Sequence, residues 1–389
     1  MSSSSAQNLN SKGPASYESG PIKLPRPADC MRDMHGGESH LPEVHTQMRD
    51  IKLRVVEALR HRPLVKAIAI DDQSTKLRED AFSLRENAEG TAYILDISVP
   101  DVSAFVAPDS AIYNEALRCV QSVRGRRLFP AELSHQVFGF RKLAPSPAIT
   151  VSITIKKESS VIQSVQIQRT TLQLSQRLDW EMANDLIMNE CDDPEEQKVA
   201  EQLRACLHLA ENLLQNRIAN GALEYFDPHS GLYIHPHNGI RNIRQEEASE
   251  FIVREFMLLL KQSIGTYALQ HKIPMIFLDR PLKAGEKSPS IRDVRAVESD
   301  EIERTLARLQ RRYEGQSAHV RGSSSCSMKH IGIGAFAAFS SPLRNLADAI
   351  NQFSLMQEPG SKPLYDPGAM RQLAEYIDYM SKGALAKCA

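Results

Sequence analysis

The stretch ITVSITIK, residues 149–156, alternates apolar and polar side chains without interruption. Strict alternation puts every second side chain on the same side of the chain, which is the pattern of a β-strand with one buried face. The stretch VIQSVQIQRT, residues 161–170, is its predicted partner in a hairpin. Two earlier runs, VKAIAID (65–71) and TAYILDISV (91–99), predict further strands, and Pro100 ends the second of them. These strands predict a central sheet.

Helical patterns surround the strands. From Met48, the stretch MRDIKLRVVEALRHR predicts a helix with Ile51, Val55, Val56 and Leu59 on one apolar face. The predicted fold class is therefore α/β of the mixed α+β kind, with a central mixed sheet surrounded by helices. Further helices are predicted, in chain order, at residues 193–220, 246–272, 301–315, 342–353 and from 367 onward.

Composition divides the chain into two parts. Residues 1–48 are rich in Ser, Gly, Pro, His and Asn and have almost no periodic apolar pattern, so they are predicted to form a disordered N-terminal tail. Residues 49–389 are predicted to form one domain. The 47 basic residues nearly balance the 48 acidic ones. This balance argues against a uniformly basic surface that coats nucleic acid, but it leaves room for a local basic channel.

The cysteines and the hydropathy pattern indicate in which cellular compartment the protein is expected. The six cysteines are scattered and form no CxxC or Cys/His ligand spacing, so neither a zinc site nor a disulfide framework is expected. No apolar run is long enough for a membrane span, and the N-terminus lacks the apolar segment of a secretory signal. We therefore expect a cytoplasmic protein with reduced thiols and no membrane partner.

An acidic loop follows the first strand. In AIAIDDQSTKLREDAFSL, residues 67–84, the apolar run ends in Asp71 and Asp72, and two more acids, Glu79 and Asp80, come shortly afterwards. Clustered carboxylates suit Mg²⁺, which is a hard ion that prefers oxygen ligands. Acids at the end of a strand also serve as loop caps or as solvated turn residues. The pattern alone leaves both interpretations open.

The stretch HIGIGAFAAFSSPLRNLADAINQFSL, residues 330–355, resembles the catalytic (RNB) domain of the ribonuclease II / ribonuclease R family. That family carries a pattern like H-F-G-L, then Y, then F-T-S-P-I-R-R-Y-x-D-L. The positions that agree without a gap are His330, Gly332, Phe336, Phe339, Ser340, Ser341, Pro342, Leu343, Arg344 and Asp348.

Other blocks resemble the same family in the same order, so that the resemblance covers roughly residues 49–389. These blocks are LDISVPDVSAFV (95–106), FPAELS (129–134), QRLDWEMA (176–183), RIANGALEY (217–225) and IVREFMLLL (252–260). The acidic loop resembles the family's metal loop, I-D-x-x-x-T-x-D-x-D-D-A. Asp71 and Asp80 agree with it, Glu79 stands where Asp is usual, and Leu77 replaces another Asp.

The resemblance implies a metal-dependent 3′-to-5′ hydrolytic exoribonuclease that acts on single-stranded RNA and releases nucleoside 5′-monophosphates. It implies that Asp71, Glu79 and Asp80 hold Mg²⁺ or Mn²⁺, which would activate water and stabilise the charge on the reacting oxygens. Glu79 and Asp80, together with Arg344, are the catalytic residues that it implies.

Four residues are candidates for RNA contact. The resemblance implies that Arg344 contacts the scissile phosphate, where a guanidinium suits a pair of phosphoryl oxygens. Trp180 stands where the family has a tyrosine that stacks on a terminal base, although a role in the core is the plain alternative. Ser340 and Ser341 are expected to cap a helix that begins at Pro342 and to donate hydrogen bonds to phosphate.

Several departures from the family pattern weaken the implied site. Leu77 cannot coordinate a metal, and Tyr379 falls where the family has a glutamate in the last helix, so the metal is expected to be weakly bound or absent. The flanking OB-fold domains of full-length relatives are missing from this sequence, so a protein partner that supplies RNA-guiding domains is also expected. The alternative to a weakened nuclease is an inactive relative that binds RNA or a protein. A third interpretation is an interaction module that uses the basic helix ERTLARLQRRYEG (303–315).

Overall fold

The computed structural model describes residues 24–25, 42–123, 126–235, 239–244, 247–287, 301–313, 317–319, 328–358 and 360–388. Most of the predicted N-terminal tail therefore lies outside the described residues. The first helix, α1 (Pro42–His61), begins before Met48 and buries Val44, Met48, Ile51 and Val55. Val56 was predicted on the same face but is 53% exposed. It directly follows Val55, and successive residues of a helix point in different directions around its axis, so Val56 lies off the buried face.

Five strands form a closed barrel: β1 (Leu64–Asp71), β2 (Ala81–Glu86), β3 (Ala92–Pro100), β4 (Ser146–Lys156) and β5 (Ile162–Asp179). Neighbours from β1 to β5 pair antiparallel, and β5 closes the barrel by pairing parallel with β1. β5 has 18 residues, which is long enough to pair with β4 along one part and with β1 along the other. The predicted mixed sheet and its central hairpin are confirmed.

The alternation in β4 has the expected consequence for packing. Ile149, Val151, Ile153 and Ile155 are all buried in the main hydrophobic core, together with apolar side chains of β2 and β3. Two helices pack against this core: α4 (Pro194–Ala219) and α5 (Ala248–Gln270). The Phe256 ring of α5 meets the Phe82 ring of β2 edge-on, with 5.1 Å between their centroids.

The remaining elements complete the layers around the barrel. In chain order the helices are α2 (Ala111–Cys119), α3 (Trp180–Met188), α6 (Ile302–Gln310), α7 (Leu346–Leu355) and α8 (Pro367–Cys388). The strands β6 (Tyr225–Asp227), β7 (Leu232–His235) and β8 (Gly239–Asn242) form a three-stranded sheet, and β9 (Phe277–Asp279) pairs with β10 (Ser317–His319). Short turns of π- and 3₁₀-helix lie at Leu133–Phe138 and Lys329–Ile331.

Two buried amides hold α7 in place, one against the segments at Ile276 and Ala338 and the other against the end of β3. Asn351 donates to the carbonyls of Ile276 and Ala338, at 2.8 and 2.7 Å, and accepts from the Ile276 N–H at 2.7 Å. Gln352 donates to the Pro100 carbonyl at the end of β3. Because buried amides that are fully hydrogen-bonded hold one geometry, these contacts determine where the turn before α7 lies.

Two further predictions concern thiols and membranes. Cys119, Cys191 and Cys206 are free thiols. Among the helices of the described ranges, none is both long and apolar enough to cross a bilayer.

Candidate functional site

The acidic residues meet at one end of the barrel. Asp71 is the last residue of β1, and β5 runs parallel beside it, so that Asp71 lies opposite Asp179 in the register. Residues 72–80 then return the chain to β2. Asp72 is exposed and holds this loop in a turn, since its carboxylate accepts from the Ser74 N–H at 2.8 Å. Hydrogen bonds from the Ser74 side chain and N–H lower the pKa of Asp72.

Glu79 is buried and both of its carboxylate oxygens have protein partners. Oε1 accepts from the Leu343 N–H at 2.7 Å, and Oε2 accepts from Nε of Arg344. Burial raises the pKa of Glu79 to about 7, while Arg344 and the Leu343 N–H act in the opposite direction. Glu79 thus joins the acidic loop to the turn before α7.

Arg344 lies in that turn with half of its side chain exposed. It also donates from Nη2 to the Ser341 hydroxyl at 3.2 Å. The predicted helix start at Pro342 is wrong, because α7 begins at Leu346 and its N-cap residue makes no side-chain capping bond. Asp348 instead accepts from the Ser341 N–H at 2.7 Å and so closes the turn.

The two serines of the predicted RNA contact differ in exposure. Ser340 is buried, whereas Ser341 is partly exposed and is already paired with Arg344. Of the two serines, therefore, only Ser341 has a solvent-accessible side chain beside the Arg344 guanidinium.

Arg78, which was not among the predicted site residues, lies inside the acidic loop with only 4% of its surface exposed. Its Nη1 donates to the Thr75 carbonyl at 2.8 Å, and its Nε lies 3.9 Å from Oδ2 of Asp71. Both atoms are buried, and neither Nε nor Oδ2 makes a hydrogen bond with any of the residues that the structure describes. Burial raises the pKa of Asp71, and the Arg78 charge lowers it. A basic residue between predicted ligands was the available signal in the sequence.

Leu77 points away from the acids. It packs against the hydrophobic cluster beneath α1 and α7, and a Cβ atom built on Gly139 would lie 2.8 Å from its Cδ1. The position that the resemblance gives to a third aspartate is therefore directed into apolar packing.

Asp80 is half-buried beside the same acids and, within the described ranges, its carboxylate accepts no hydrogen bond. Burial raises its pKa to about 7, and the neighbouring Asp71 and Glu79 carboxylates add to the rise.

This pKa predicts how stability depends on pH. A carboxyl with a raised pKa in the folded state binds its proton more tightly than in the unfolded chain, so stability falls as pH rises from about 4 to about 7. Asp80→Asn is expected to remove much of this loss and to stabilise the protein by about 2 kcal/mol at about pH 8, a figure reduced for solvent screening. Urea unfolding at about pH 5 and about pH 8 measures the effect.

Asp72→Asn is the matched control for this prediction. Because hydrogen bonds lower the pKa of Asp72, its replacement is expected to reduce stability slightly at the higher pH, which is the opposite direction. Equal responses of the two variants would contradict the role of burial at Asp80.

The residues present do not fit the metal centre that the resemblance implies. Within the described part of the chain, no group of three or more His, Cys, Asp or Glu side chains is arranged to hold a metal ion. Both Glu79 oxygens have partners, Leu77 faces the core, and the Arg78 cation lies beside Asp71. Mg²⁺ sites need several oxygen ligands in near-octahedral geometry. Of the three predicted ligands, only Asp71 and Asp80 keep a carboxylate oxygen free of a hydrogen bond from the described residues.

Trp180 lies at the same barrel end as the acids. It begins α3 directly after Asp179, whose carboxylate caps the helix by accepting from the Met182 N–H at 2.9 Å. Its side chain is half-buried against the main core, so one part packs and another part stays accessible. Arg177, an exposed residue of β5 that sequence reasoning also missed, lies close enough to affect Arg78 electrostatically. Tyr379 is 59% exposed on α8.

Comparison with known proteins gives consistent matches. A protein-family model described as RNB domain matches residues 57–358. Ribonuclease II, chloroplastic/mitochondrial, from Arabidopsis thaliana is 22% identical over 346 residues, which covers 84% of this chain and 40% of the relative. The chain therefore spans less than half the length of this relative.

Two solved structures share the fold at low sequence identity. The apo form of Mycoplasma genitalium RNase R superposes with a TM-score of 0.67 at 15% identity, over 92% of this chain and 61% of that one. Yeast Ssd1, a pseudonuclease, superposes with a TM-score of 0.62 at 14% identity, over 88% of this chain and 49% of that one.

Proposed function

Because the chain belongs to the RNB-domain family, we propose that it binds single-stranded RNA at the acidic end of the barrel without hydrolysing it. The observation that supports this proposal is the pairing of Glu79 with Arg344 and the Leu343 N–H. Each Glu79 oxygen already accepts a hydrogen bond, and the Arg344 charge beside the carboxylate opposes the approach of a metal cation. Arg78 supplies a second internal positive charge beside Asp71.

Three exposed or half-exposed groups support contact with RNA. Arg344 uses one edge of its guanidinium on Glu79 and Ser341, and the half-exposed remainder suits a phosphate oxygen. Arg177 adds an exposed positive charge on β5. The accessible part of Trp180 provides a plane on which any base can stack. Such a surface binds RNA through charge and stacking, with little sequence preference.

The fold is compatible with either catalytic state. Apo RNase R of Mycoplasma genitalium and the pseudonuclease Ssd1 share it with this chain, so the barrel persists whether or not hydrolysis does. A second candidate function is a metal-dependent 3′-to-5′ exoribonuclease that releases nucleoside 5′-monophosphates. The Asp80 carboxylate, which is free of hydrogen bonds from the described residues, is the observation that favours it.

Fluorescence anisotropy with a 5′-labelled single-stranded RNA tests the proposal. We expect binding of equal strength in EDTA and in Mg²⁺ at constant ionic strength, and binding that weakens as salt increases. Arg177→Gln is expected to weaken binding about 3- to 10-fold, since it removes one phosphate contact. Arg308→Gln, which removes an exposed arginine from α6, is the matched control.

A denaturing gel of the same RNA separates the two candidates. Full-length RNA after long incubation with excess protein in Mg²⁺ or Mn²⁺ supports binding without hydrolysis. Metal-dependent shortening from the 3′ end that Asp80→Asn abolishes would establish the exoribonuclease instead. Absence of any RNA binding by the folded protein would contradict both candidates.

A further inference from the structure

The acidic loop contains its own permanent cation. We propose that the Arg78 guanidinium takes the place of a divalent metal as the counter-ion of the acidic loop, so that the loop folds without any metal. The proposal concerns what holds the loop together, and it is independent of whether RNA binds.

The position of Arg78 is determined by its own backbone and side chain. Its carbonyl accepts from the Phe140 N–H at 3.0 Å, and its Nη1 donates to the Thr75 carbonyl at 2.8 Å. The guanidinium is thereby held inside the loop and cannot turn towards solvent. A buried guanidinium stays charged, because arginine does not lose its proton in proteins.

The surroundings of this cation are mainly acidic. Burial and the exposed Arg177 guanidinium lower the pKa of Arg78, while three carboxylates, Asp71, Asp179 and Asp80, act in the opposite direction. A buried charge is tolerated only where opposite charges compensate it, and removal of one partner leaves the others uncompensated. At 3.9 Å the contact with Asp71 supplies charge compensation rather than a hydrogen bond.

The same geometry argues against a divalent ion. A metal on Oδ2 of Asp71 would meet the positive charge of Arg78, whose Nε already lies 3.9 Å from that oxygen. Arg344 neutralises Glu79 in the same way on the other side of the loop. The two arginines thus supply the positive charge that metal ions supply in a carboxylate-rich metal loop. Unlike a metal ion, neither arginine can dissociate from the loop.

Thermal unfolding of the whole chain tests the proposal. The wild-type melting temperature is expected to be the same in EDTA and in millimolar Mg²⁺ or Mn²⁺. Arg78→Gln removes the charge but keeps a polar side chain of similar reach, and it is expected to lower the melting temperature by several degrees in EDTA. Mn²⁺ should then restore part of the loss, since an ion that binds only the folded state raises its melting temperature.

Arg308→Gln is the matched control, because it removes an exposed positive charge from α6 and Arg308 is not among the charges that act on Arg78. It should melt like the wild type and stay insensitive to Mn²⁺. Failure of Mn²⁺ to stabilise a folded Arg78→Gln would overturn the proposal, as would an Arg78→Gln that melts like the wild type.

A measurement on the wild type alone covers the case in which Arg78→Gln does not fold. Electron paramagnetic resonance counts free Mn²⁺ in the presence of the protein, and the expected result is no loss of free ion. Stoichiometric uptake of Mn²⁺ would overturn the proposal even if RNA binding is found as proposed.

Discussion

Replacement of Arg217 by methionine is expected to destabilise the protein by about 3–5 kcal/mol, as for the removal of one partner from a buried ion network. Arg217 lies near the end of α4 and all five of its N–H groups are hydrogen-bonded. Nε and Nη2 donate to Glu255, at 2.9 and 2.6 Å, while Nη1 and Nη2 donate to Glu224, at 2.9 and 3.1 Å. Nη1 also donates to the Ile331 carbonyl at 2.9 Å.

The size of this effect follows from what the substitution leaves behind. Glu224 and Glu255 have fully buried side chains, and after the change only Arg254, with hydrogen bonds from Tyr233 to Glu224, compensates their charge. Methionine fills most of the volume, so the loss reports the uncompensated carboxylates rather than a cavity.

Urea unfolding, monitored by circular dichroism, measures this loss. We expect a lower midpoint urea concentration and an unchanged dependence of the unfolding free energy on urea. Arg204→Met is the matched control on the same helix, because Arg204 is exposed and donates only to backbone carbonyls at the end of α3. We expect it to lose about 1 kcal/mol. A loss for Arg217→Met no larger than that of the control would contradict the assignment of the network.

The second large effect is expected at Gly332. Its φ is +72°, and a Cβ atom there would lie 2.2 Å from the Arg217 carbonyl oxygen. Gly332→Ala therefore combines left-handed strain with a collision against the backbone of α4, and we expect a loss of about 2–4 kcal/mol. Thermal and urea unfolding of the variant measure it.

Two other glycines separate these contributions. Gly221 also has a positive φ, of +97°, but a Cβ there meets nothing within 4 Å, so Gly221→Ala reports backbone strain alone. Gly334 has open space around a Cβ and no positive φ, so Gly334→Ala is expected to be nearly neutral. If Gly332→Ala loses no more stability than Gly221→Ala, the close approach to Arg217 is not the cause.

The two effects belong to one structural unit. The stretch that contains Gly332 passes close enough to α4 for Arg217 to bind the Ile331 carbonyl, and the chain continues from there to the turn that contains Arg344. Disruption of this contact should therefore also move the turn that pairs with Glu79. This would link the stability of the buried network to the geometry of the acidic loop.

Sequence reasoning identified four of the five barrel strands, but it did not predict β2 at Ala81–Glu86. Alternation in residues 149–156 and 161–170 is a local property, and burial of one face follows from it directly. The position of Asp71 at the end of β1 is likewise local. The family resemblance is confirmed by the match over residues 57–358. The start of α7 was misjudged, because Pro342 suggests a helix start whereas the observed turn is held by Asp348.

By itself, therefore, the sequence determined the fold class, the family and the position of the acids directly after the first strand. Only the tertiary structure decided what those acids do. Glu79 meets Arg344 across 265 residues, and the hydrogen bond from Gln352 to the Pro100 carbonyl holds α7 beside the same barrel. The local sequence pattern also did not show which way the side chains of Leu77 and Arg78 point. Packing against Gly139 turns the leucine into the core, and the neighbouring carboxylates hold the arginine charge inside the loop, because a buried charge is stable only beside opposite charges.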